Sequence, residues 1–154
     1  MYPNFWNQEY VLTNLIGFEN FGFYHASFGK LQRGDVIVFN APPEPDKDYI
    51  KRVIGLPGDT IMLKNGDVYV NGKLLDEKKY IASDIKTYGE AFLLDNQAIT
   101  VPSNEYFVLG DNRMASSDSR EWGFVKMSEV IGKSSFVYWP INRMRFINNP
   151  YRGN

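Results

Sequence analysis

The chain of 154 residues contains no cysteine and one histidine, His25. Without cysteine it can form no disulfide, no thiolate nucleophile and no cysteine-bound zinc site. A single histidine cannot build a histidine-rich metal site, and no partners for a catalytic triad can be assigned to it, so we interpret His25 as structural or solvent-exposed. If the protein catalyses acyl transfer, a lysine is therefore a better candidate for the general base than a histidine.

The sequence also lacks a basic excess and a long apolar run. Its net charge is −1, which argues against nucleic acid as a partner, because a surface that binds phosphates needs excess lysine and arginine. No stretch approaches the roughly 20 apolar residues of a transmembrane helix, so the printed residues alone are expected to be soluble. The aromatic fraction of 16% suits a β-rich protein or a peptide-binding surface. It would also suit a barrel that binds single-stranded nucleic acid, but the charge disfavours that reading.

Short apolar or alternating segments, separated by turn residues, predict many short strands and few helices. Two Asn-Gly pairs, at 65–66 and 71–72, predict tight hairpin turns and hence a three-stranded meander. The proline-rich stretch 41–45 is predicted to be a stiff exposed linker. Residues 127–130 are predicted to form one helical turn. The predicted strands span 10–16, 36–39, 48–54, 60–63, 68–70, 73–75, 106–109 and 134–139. The predicted fold class is therefore all-β or β-dominated.

These segments fit one domain of residues 1–147. Residues 76–97 lose the strand pattern and are predicted to be a polar surface insertion, and residues 148–154 are predicted to be a flexible tail. Residues 17–29 are rich in phenylalanine, tyrosine and glycine. They are expected to form an irregular loop whose aromatic rings either pack internally or contact a membrane surface through Phe18, Phe21 and Phe23.

Lys51 occupies an unusual position in the strand at 48–54. The strand period places it on one face with Tyr49 and Val53, and places Arg52 on the opposite face. If apolar neighbours bury the amine, its pKa falls, and a drop of about 3 units from about 10.4 makes it a neutral base at physiological pH. Alternatively, Lys51 extends from a sheet edge into water, as most strand lysines do.

A second candidate cluster follows the predicted strand at 106–109. Residues 110–120 are dense in hydroxyl groups and in charges of both signs, including Asp111, Ser116, Asp118 and Arg120. A plain turn needs glycine, aspartate and asparagine but not this alternation of serine, aspartate and arginine. The alternative interpretation is a solvated loop with surface ion pairs, each of which contributes little.

These stretches together resemble the conserved boxes of bacterial type I signal peptidases. Residues 49–59, which carry Lys51 and end in Gly-Leu-Pro-Gly-Asp, are similar to the lysine box, and residues 110–123 are similar to the C-terminal box. Residues 33–39 resemble a third box, and residues 131–133 fit the stretch that follows. The order and spacing agree over nearly the whole chain.

The resemblance implies a signal-peptidase-like fold and a serine–lysine endopeptidase that removes signal peptides from exported preproteins, with no cofactor and no metal. In that family a serine attacks the scissile carbonyl and a neutral lysine takes its proton. Lys51 corresponds to this general base, and Ser116 to the hydroxyl that positions the lysine. The site-supporting charges correspond to two pairs, Arg52 with Asp111 and Asp118 with Arg120.

The resemblance also implies the partners. The strand containing Asp48, Tyr49 and Ile50 is expected to bind the substrate backbone by strand addition. Tyr49 and Ile50 are expected to form walls of shallow pockets for the small residues at the cleavage site. The family holds its catalytic domain on the extracytoplasmic side of the cell membrane through a transmembrane helix, which is expected upstream of the printed residues.

The start of the chain departs from the family pattern. The family's nucleophile lies in a Ser-Met-x-Pro motif, and this chain begins Met1-Tyr2-Pro3, so the expected serine is the residue before Met1. Asn4-Phe5 stands where Thr-Leu is common, and Gln8-Glu9 where Gly-Asp is usual. The printed chain is therefore expected to be inactive by the family's mechanism.

Three explanations for this start remain open: a piece cut just after the serine, a processed product, or a genuine short homologue. In the last case the protein would be a non-catalytic module that binds extended peptides along the Lys51 strand.

Overall fold

The computed structural model describes residues 1–15 and 30–152. Residues 16–29, with His25 and the predicted aromatic loop, lie outside the described residues. In the described ranges the strands are Tyr10–Leu15 (β1), Val36–Ala41 (β2), Glu44–Gly55 (β3), Thr60–Lys64 (β4), Asp67–Val70 (β5), Lys73–Leu74 (β6), Ala98–Thr100 (β7), Glu105–Leu109 (β8), Val125–Lys126 (β9), Val130–Trp139 (β10) and Arg145–Phe146 (β11). One short helix, Ser119–Trp122 (α1), and two 3-10 turns, Met127–Glu129 and Ile141–Arg143, complete the regular structure of these ranges. The β-dominated prediction is confirmed.

The strands form two antiparallel sheets. The larger sheet has the order β1-β10-β2-β3-β8-β9, with β11 added to β10, and the smaller has the order β6-β5-β4-β7. The central strand β3 lies between β2 and β8. No helix in the two described ranges is long and apolar enough to span a membrane.

Strands β3 and β8 contribute to two hydrophobic cores at once. Val53 and Val108 are fully buried in one core, which also contains Phe39, whereas their neighbours Ile54 and Leu109 are fully buried in the other. Successive side chains of a strand point to opposite faces, so these strands have packed surface on both sides. Burial of each such side chain stabilises the fold by about 1.5–3 kcal/mol, and the position of β3 is therefore firmly determined.

The predicted meander is present as β4, β5 and β6. Asn65 and Gly66 have φ of 55° and 77°, and Asn71 and Gly72 have φ of 52° and 75°. Two consecutive positive φ angles are those that two-residue hairpin turns require, and asparagine and glycine tolerate them best.

The proline-rich stretch 41–45 is not a linker, and that prediction is wrong. Asn40 pairs with Asp48 and Ala41 with Glu44, so the two prolines at 42–43 lie in the turn of a long β2–β3 hairpin. Proline suits such a turn because it needs no backbone N–H there. The exposed half of β3 therefore begins seven residues before Lys51.

The irregular segment 76–97 differs from the polar surface excursion that its composition predicts. It is largely without strands, but Tyr80, Ile81 and Leu93 are buried in the core that contains Ile54. The segment therefore covers one face of the smaller sheet.

Residues 148–152 make specific contacts that do not fit the predicted flexible tail. The Asn149 amide donates to the carboxylate of Asp35 at 2.7 Å and to the carbonyl of Arg33 at 2.9 Å. The Tyr151 hydroxyl donates to the carbonyl of Asp76 at 3.0 Å. The domain limits of 1–147 themselves stay a prediction.

Candidate active site

Strand β3 presents Lys51 and Arg52 on opposite faces, as its alternation predicts. The Lys51 amine lies 5.2 Å from the centre of the Tyr49 ring, on the same face two residues away. The Arg52 guanidinium lies 4.4 Å from the centre of the Tyr80 ring, which comes from the irregular segment 76–97. Two charged side chains are thereby held against aromatic surface on the two sides of one strand.

The pKa of Lys51 is lowered from its ordinary value by burial, which disfavours the charged amine. The negative charges of Asp118 and Asp111 oppose this shift, and the positive charge of Arg120 adds to it. Among the described residues, no hydrogen bond or ion pair holds the Lys51 amine. These conditions are those of a lysine moved toward the neutral form, rather than one that reaches into bulk water.

The loop after β8 is organised by Asp118. Its carboxylate accepts hydrogen bonds from Arg120 Nε at 2.8 Å and from the backbone N–H of Gly110 at 3.0 Å. It also caps α1 by accepting from the N–H of Arg120, which is the usual role of aspartate at a helix start. Asp118 and Arg120 are both buried, so this ion pair is a fixed part of the protein interior.

Ser116 lies against Gly110, next to the Asp118 carboxylate. The Ser116 hydroxyl oxygen is buried and has no hydrogen-bond partner within residues 1–15 and 30–152. A Cβ atom placed on Gly110 would lie 2.0 Å from this oxygen, so glycine at 110 provides the space that the serine occupies. The structure does not form a Ser116–Lys51 hydrogen bond, and the lysine-positioning role of Ser116 stays a prediction.

Arg52 and Asp111 form a buried bidentate ion pair. Arg52 Nε and Nη2 donate to the two Asp111 oxygens at 2.9 and 2.7 Å, and the side chains are 3% and 0% exposed. Arg52 Nη1 also donates to the carbonyl of Gly34 at 2.9 Å. Burial alone would lower the pKa of the guanidinium, but the hydrogen bonds and charge of Asp111 outweigh it and the pKa is raised.

The first residue of the printed chain lies against Asp111, the ion-pair partner of Arg52 on the lysine strand. The pKa of the Met1 amine is lowered by burial and, next, by the positive charge of Lys51, while Asp111 acts in the opposite direction. The backbone N–H of Asp111 lies 3.4 Å from the Met1 sulfur. The Asn4 amide donates to Asp111 at 2.7 Å. The N-terminal segment therefore meets the lysine strand and the loop after β8 at one place.

The three residues predicted to bind substrate lie on the half of β3 that has one neighbouring strand. Asp48, Tyr49 and Ile50 pair with β2, whereas β8 pairs with β3 only from Arg52 onward. Among the described residues, no strand occupies the other edge of β3 at 48–50. Asp48 is exposed, and Tyr49 and Ile50 are half-buried.

Sequence reasoning missed several supporting residues. Arg113 is buried and binds Glu77 of the irregular segment through two hydrogen bonds of 2.6 and 3.0 Å. Asn4 bridges the N-terminal segment to Asp111, and Arg145 binds Glu9 near the chain start. The paired residues are between 36 and 136 positions apart, and no local pattern signals such pairs.

Comparison with known proteins finds a matching family model, similar sequences and a similar solved structure. Residues 1–139 match the family model described as "Signal peptidase, peptidase S26". Signal peptidase I S of Bacillus subtilis (strain 168) is 40% identical over 152 residues, which cover 96% of this chain and 77% of that protein. Signal peptidase I of Bacillus caldolyticus is 46% identical over 124 residues, 77% of this chain and 67% of that protein.

A solved structure is similar as well. The crystal structure of a signal peptidase I from Enterococcus faecalis V583 has a TM-score of 0.54 and 35% sequence identity, and the match covers 70% of this chain and 98% of that one.

Proposed function

Because this chain belongs to the peptidase S26 family of signal peptidases, we propose that it is the catalytic portion of a type I signal peptidase with a serine–lysine dyad. Its substrates are then the signal peptides of exported preproteins. Lys51 is the general base, and the nucleophile is a serine in the position before Met1. The observation that carries this proposal is the contact of Met1 with the loop after β8: the Asp111 backbone N–H lies 3.4 Å from the Met1 sulfur, and the Asp111 carboxylate binds Arg52, the neighbour of Lys51 on β3.

In the proposed reaction, neutral Lys51 takes the proton of the serine hydroxyl as its oxygen attacks the scissile carbonyl carbon. The resulting ammonium gives that proton to the leaving amine as the peptide C–N bond breaks, leaving an acyl-serine ester. A water molecule then attacks the ester carbonyl carbon while Lys51 accepts a proton from it. The Lys51 ammonium returns that proton to the serine oxygen as the ester C–O bond breaks, which releases the acid product and regenerates the serine hydroxyl and the neutral amine. The burial that lowers the pKa of Lys51 supports this role, because only a neutral amine can accept the first proton.

The remaining candidate residues have positioning roles in this proposal. Ser116 is assigned the role of orienting the Lys51 amine through a hydrogen bond that is not formed in this structure; its hydroxyl is available for that bond because it has no partner within residues 1–15 and 30–152. The Arg52–Asp111 and Asp118–Arg120 pairs hold β3 and the loop after β8 in fixed positions around Lys51. Rigid support of this kind is what a base needs if its distance to the nucleophile is to stay reactive.

The substrate binds along the open edge of β3. Main-chain groups at 48–50, which face no second strand from the part of the chain that the structure describes, can accept an extended peptide as an added strand. Tyr49 and Ile50 form the walls of shallow pockets for small side chains, and Asp48 lies at the exposed end. The domain acts on the extracytoplasmic side of the cell membrane, held there by a transmembrane helix.

The test is a cleavage assay on the chain extended upstream by a serine and its native preceding sequence. Cleavage of a signal-peptide substrate is expected, and Lys51→Ala should reduce kcat by about 10²- to 10⁴-fold, the usual contribution of a general base. Lys47→Ala, at an exposed lysine of the same strand, is the matched control and should change little. The printed chain beginning at Met1 should be inactive. Activity that survives Lys51→Ala would refute the assigned role.

The open edge of β3 also favours a second candidate, a homologue that holds extended peptides without cleaving them. The same assay separates the two. Binding of a signal-peptide substrate with no cleavage by the serine-bearing chain would support the binding module.

A further inference from the structure

The N-terminal segment, residues 1–9, is held without regular secondary structure. The first strand begins at Tyr10. Within the segment the backbone makes two hydrogen bonds, Phe5 N–H to the Met1 carbonyl at 3.0 Å and Glu9 N–H to the Trp6 carbonyl at 3.4 Å. Its placement against Asp111 therefore depends on contacts from other parts of the chain.

Arg145 supplies the strongest of these contacts. Its Nη1 and Nη2 donate to the two Glu9 oxygens at 2.9 and 2.8 Å, and Nη2 also donates to the backbone carbonyl of Asn4. The Glu9 side chain is 1% exposed and that of Arg145 is 36% exposed, so the carboxylate is covered while the guanidinium stays in contact with solvent; two charge-assisted hydrogen bonds fix the geometry of the pair. The guanidinium also lies 5.8 Å from the centre of the Phe5 ring.

Asn4 carries the connection onward to the candidate active site. While its carbonyl accepts from Arg145, its side-chain amide donates to the carbonyl of Tyr80 at 2.6 Å and to Asp111 at 2.7 Å. Asp111 is the partner of Arg52, and its backbone N–H lies against the Met1 sulfur. A continuous set of contacts thus runs from Arg145 through Asn4 to Asp111, where Met1 and the lysine strand come together.

Arg145 itself is anchored to the larger sheet. It lies in β11 and pairs with Val137 of β10, and its Nη1 also donates to the carbonyl of Arg143 at 2.9 Å. It lies beyond residue 139, where the match to the family model ends. Residues 1–9 are therefore held by a part of the chain that lies outside the match to the family model.

We propose that Arg145 is a positioning residue, which holds residues 1–9 through the Asn4 carbonyl and the Glu9 carboxylate so that the start of the segment lies against Asp111, the partner of Arg52 on the lysine strand. This inference rests on the proposed function in one respect: the reacting group that is positioned is the hydroxyl of the serine that precedes Met1. Arg145 does not contact Lys51 and acts only through the N-terminal segment.

The activity test uses the serine-bearing enzyme with its native upstream sequence. Arg145→Ala is expected to lower kcat by about 10- to 100-fold, because misplacing a reacting group by about 1 Å has an effect of that size. KM should change little, since the substrate binds along β3, and the pH–rate profile should keep its apparent pKa, since the surroundings of Lys51 are unaltered. Arg145→Lys keeps the charge but not the fork of donors, so it should recover part of the lost rate.

Arg152→Ala is the control. It removes the same charge from an exposed side chain that has no hydrogen bond, ion pair or ring contact to residues 1–9 in the described structure. It should leave kcat almost unchanged. A kcat for Arg145→Ala equal to that of the parent enzyme, or an equal loss in Arg152→Ala, would overturn the proposal, as would a shifted pH–rate profile.

A second measurement needs no activity. Amide hydrogen exchange in the printed chain should become faster at Phe5 and Glu9 in Arg145→Ala, while exchange in β3 stays as it was. Unchanged exchange at Phe5 and Glu9 would overturn the positioning role. If Arg145→Ala does not fold, Arg145→Lys is measured in the same way, with a smaller increase expected. A parent enzyme that does not cleave contradicts the proposed function alone, because the exchange result still decides the role of Arg145.

Discussion

Removing the carboxylate of Asp111 should destabilise the protein far more than removing a typical surface aspartate. Asp111→Ala leaves the Arg52 guanidinium in a site where the two side chains are 3% and 0% exposed. Among the described residues its one remaining acceptor is the carbonyl of Gly34. Breaking a buried ion pair on one side typically costs about 3–5 kcal/mol, since a charge is left without compensation. We expect a loss of that size in the free energy of unfolding.

The chain offers a matched control in Asp67. Its ion pair with Lys86 has an N–O distance of 3.0 Å, close to the 2.7 Å of Arg52–Asp111, but the two side chains are 41% and 39% exposed. Water already solvates and screens both charges, so Asp67→Ala should cost less than about 1 kcal/mol. The two substitutions remove the same chemical group and differ chiefly in burial.

Urea unfolding of both variants, followed by tryptophan fluorescence, measures the two losses. The double variant Arg52→Met with Asp111→Leu removes both charges and should be more stable than Asp111→Ala alone, because no unpaired charge remains buried. If Asp111→Ala costs no more than Asp67→Ala, or if the double variant is less stable than the single one, then the burial argument is wrong.

Three further substitutions test other parts of the site and fold. Lys51→Met should raise the free energy of unfolding at neutral pH, because the folded protein holds this amine at a lowered pKa. At a pH between the lowered pKa and 10.5, the unfolded chain binds a proton on Lys51 that the folded protein does not bind. The free energy of unfolding of the wild type therefore increases as pH rises through that range, and the advantage of Lys51→Met disappears. Lys64→Met, at an exposed lysine, should show no such trend in urea unfolding. Gly110→Ala places a Cβ atom 2.6 Å from the Ser116 Cβ and should lower the free energy of unfolding by about 1–3 kcal/mol. Adding Ser116→Gly should recover most of that loss, and no recovery would contradict the steric explanation. Burial raises the pKa of Tyr151 to about 12 from 10.0, so stability should fall as pH rises between these values, and Tyr151→Phe should make that fall shallower in the same unfolding assay.

The sequence predicted those features that local chemistry determines. The alternation around Lys51 and Arg52 reports side-chain direction, because a strand has a period of two residues. The Asn-Gly pairs report the two meander turns, because few other residues accept consecutive positive φ angles. The irregular loop after β8 could be recognised by its dense alternation of serine, aspartate and arginine, although not the hydrogen bonds of Asp118 within it.

Features that depend on tertiary packing were not predictable in this way. The prolines at 42–43 suggested a linker, since composition alone does not distinguish an extended connection from the turn of a long hairpin. Segment 76–97 has no periodic pattern, yet it places Tyr80 over Arg52 and Glu77 against Arg113. Such contacts depend on how an irregular backbone packs on the sheet, and a propensity argument contains no information about that.

The candidate site itself is assembled from four separate regions of the chain. Lys51 lies on β3, the charges near it lie after β8, Met1 comes from the N-terminal segment, and Arg145 on β11 binds Glu9 of that segment. A sequence motif can indicate the first two regions, β3 and the loop after β8, because the residues of each are continuous in sequence. The last two meet only through the pairing of β11 with β10 and the ion pair of Arg145 with Glu9, 136 residues apart. Because the two residues are so far apart in sequence, no local pattern indicates this contact. Under the positioning role proposed for Arg145, a change there acts on the start of the chain and leaves the surroundings of Lys51 unaltered.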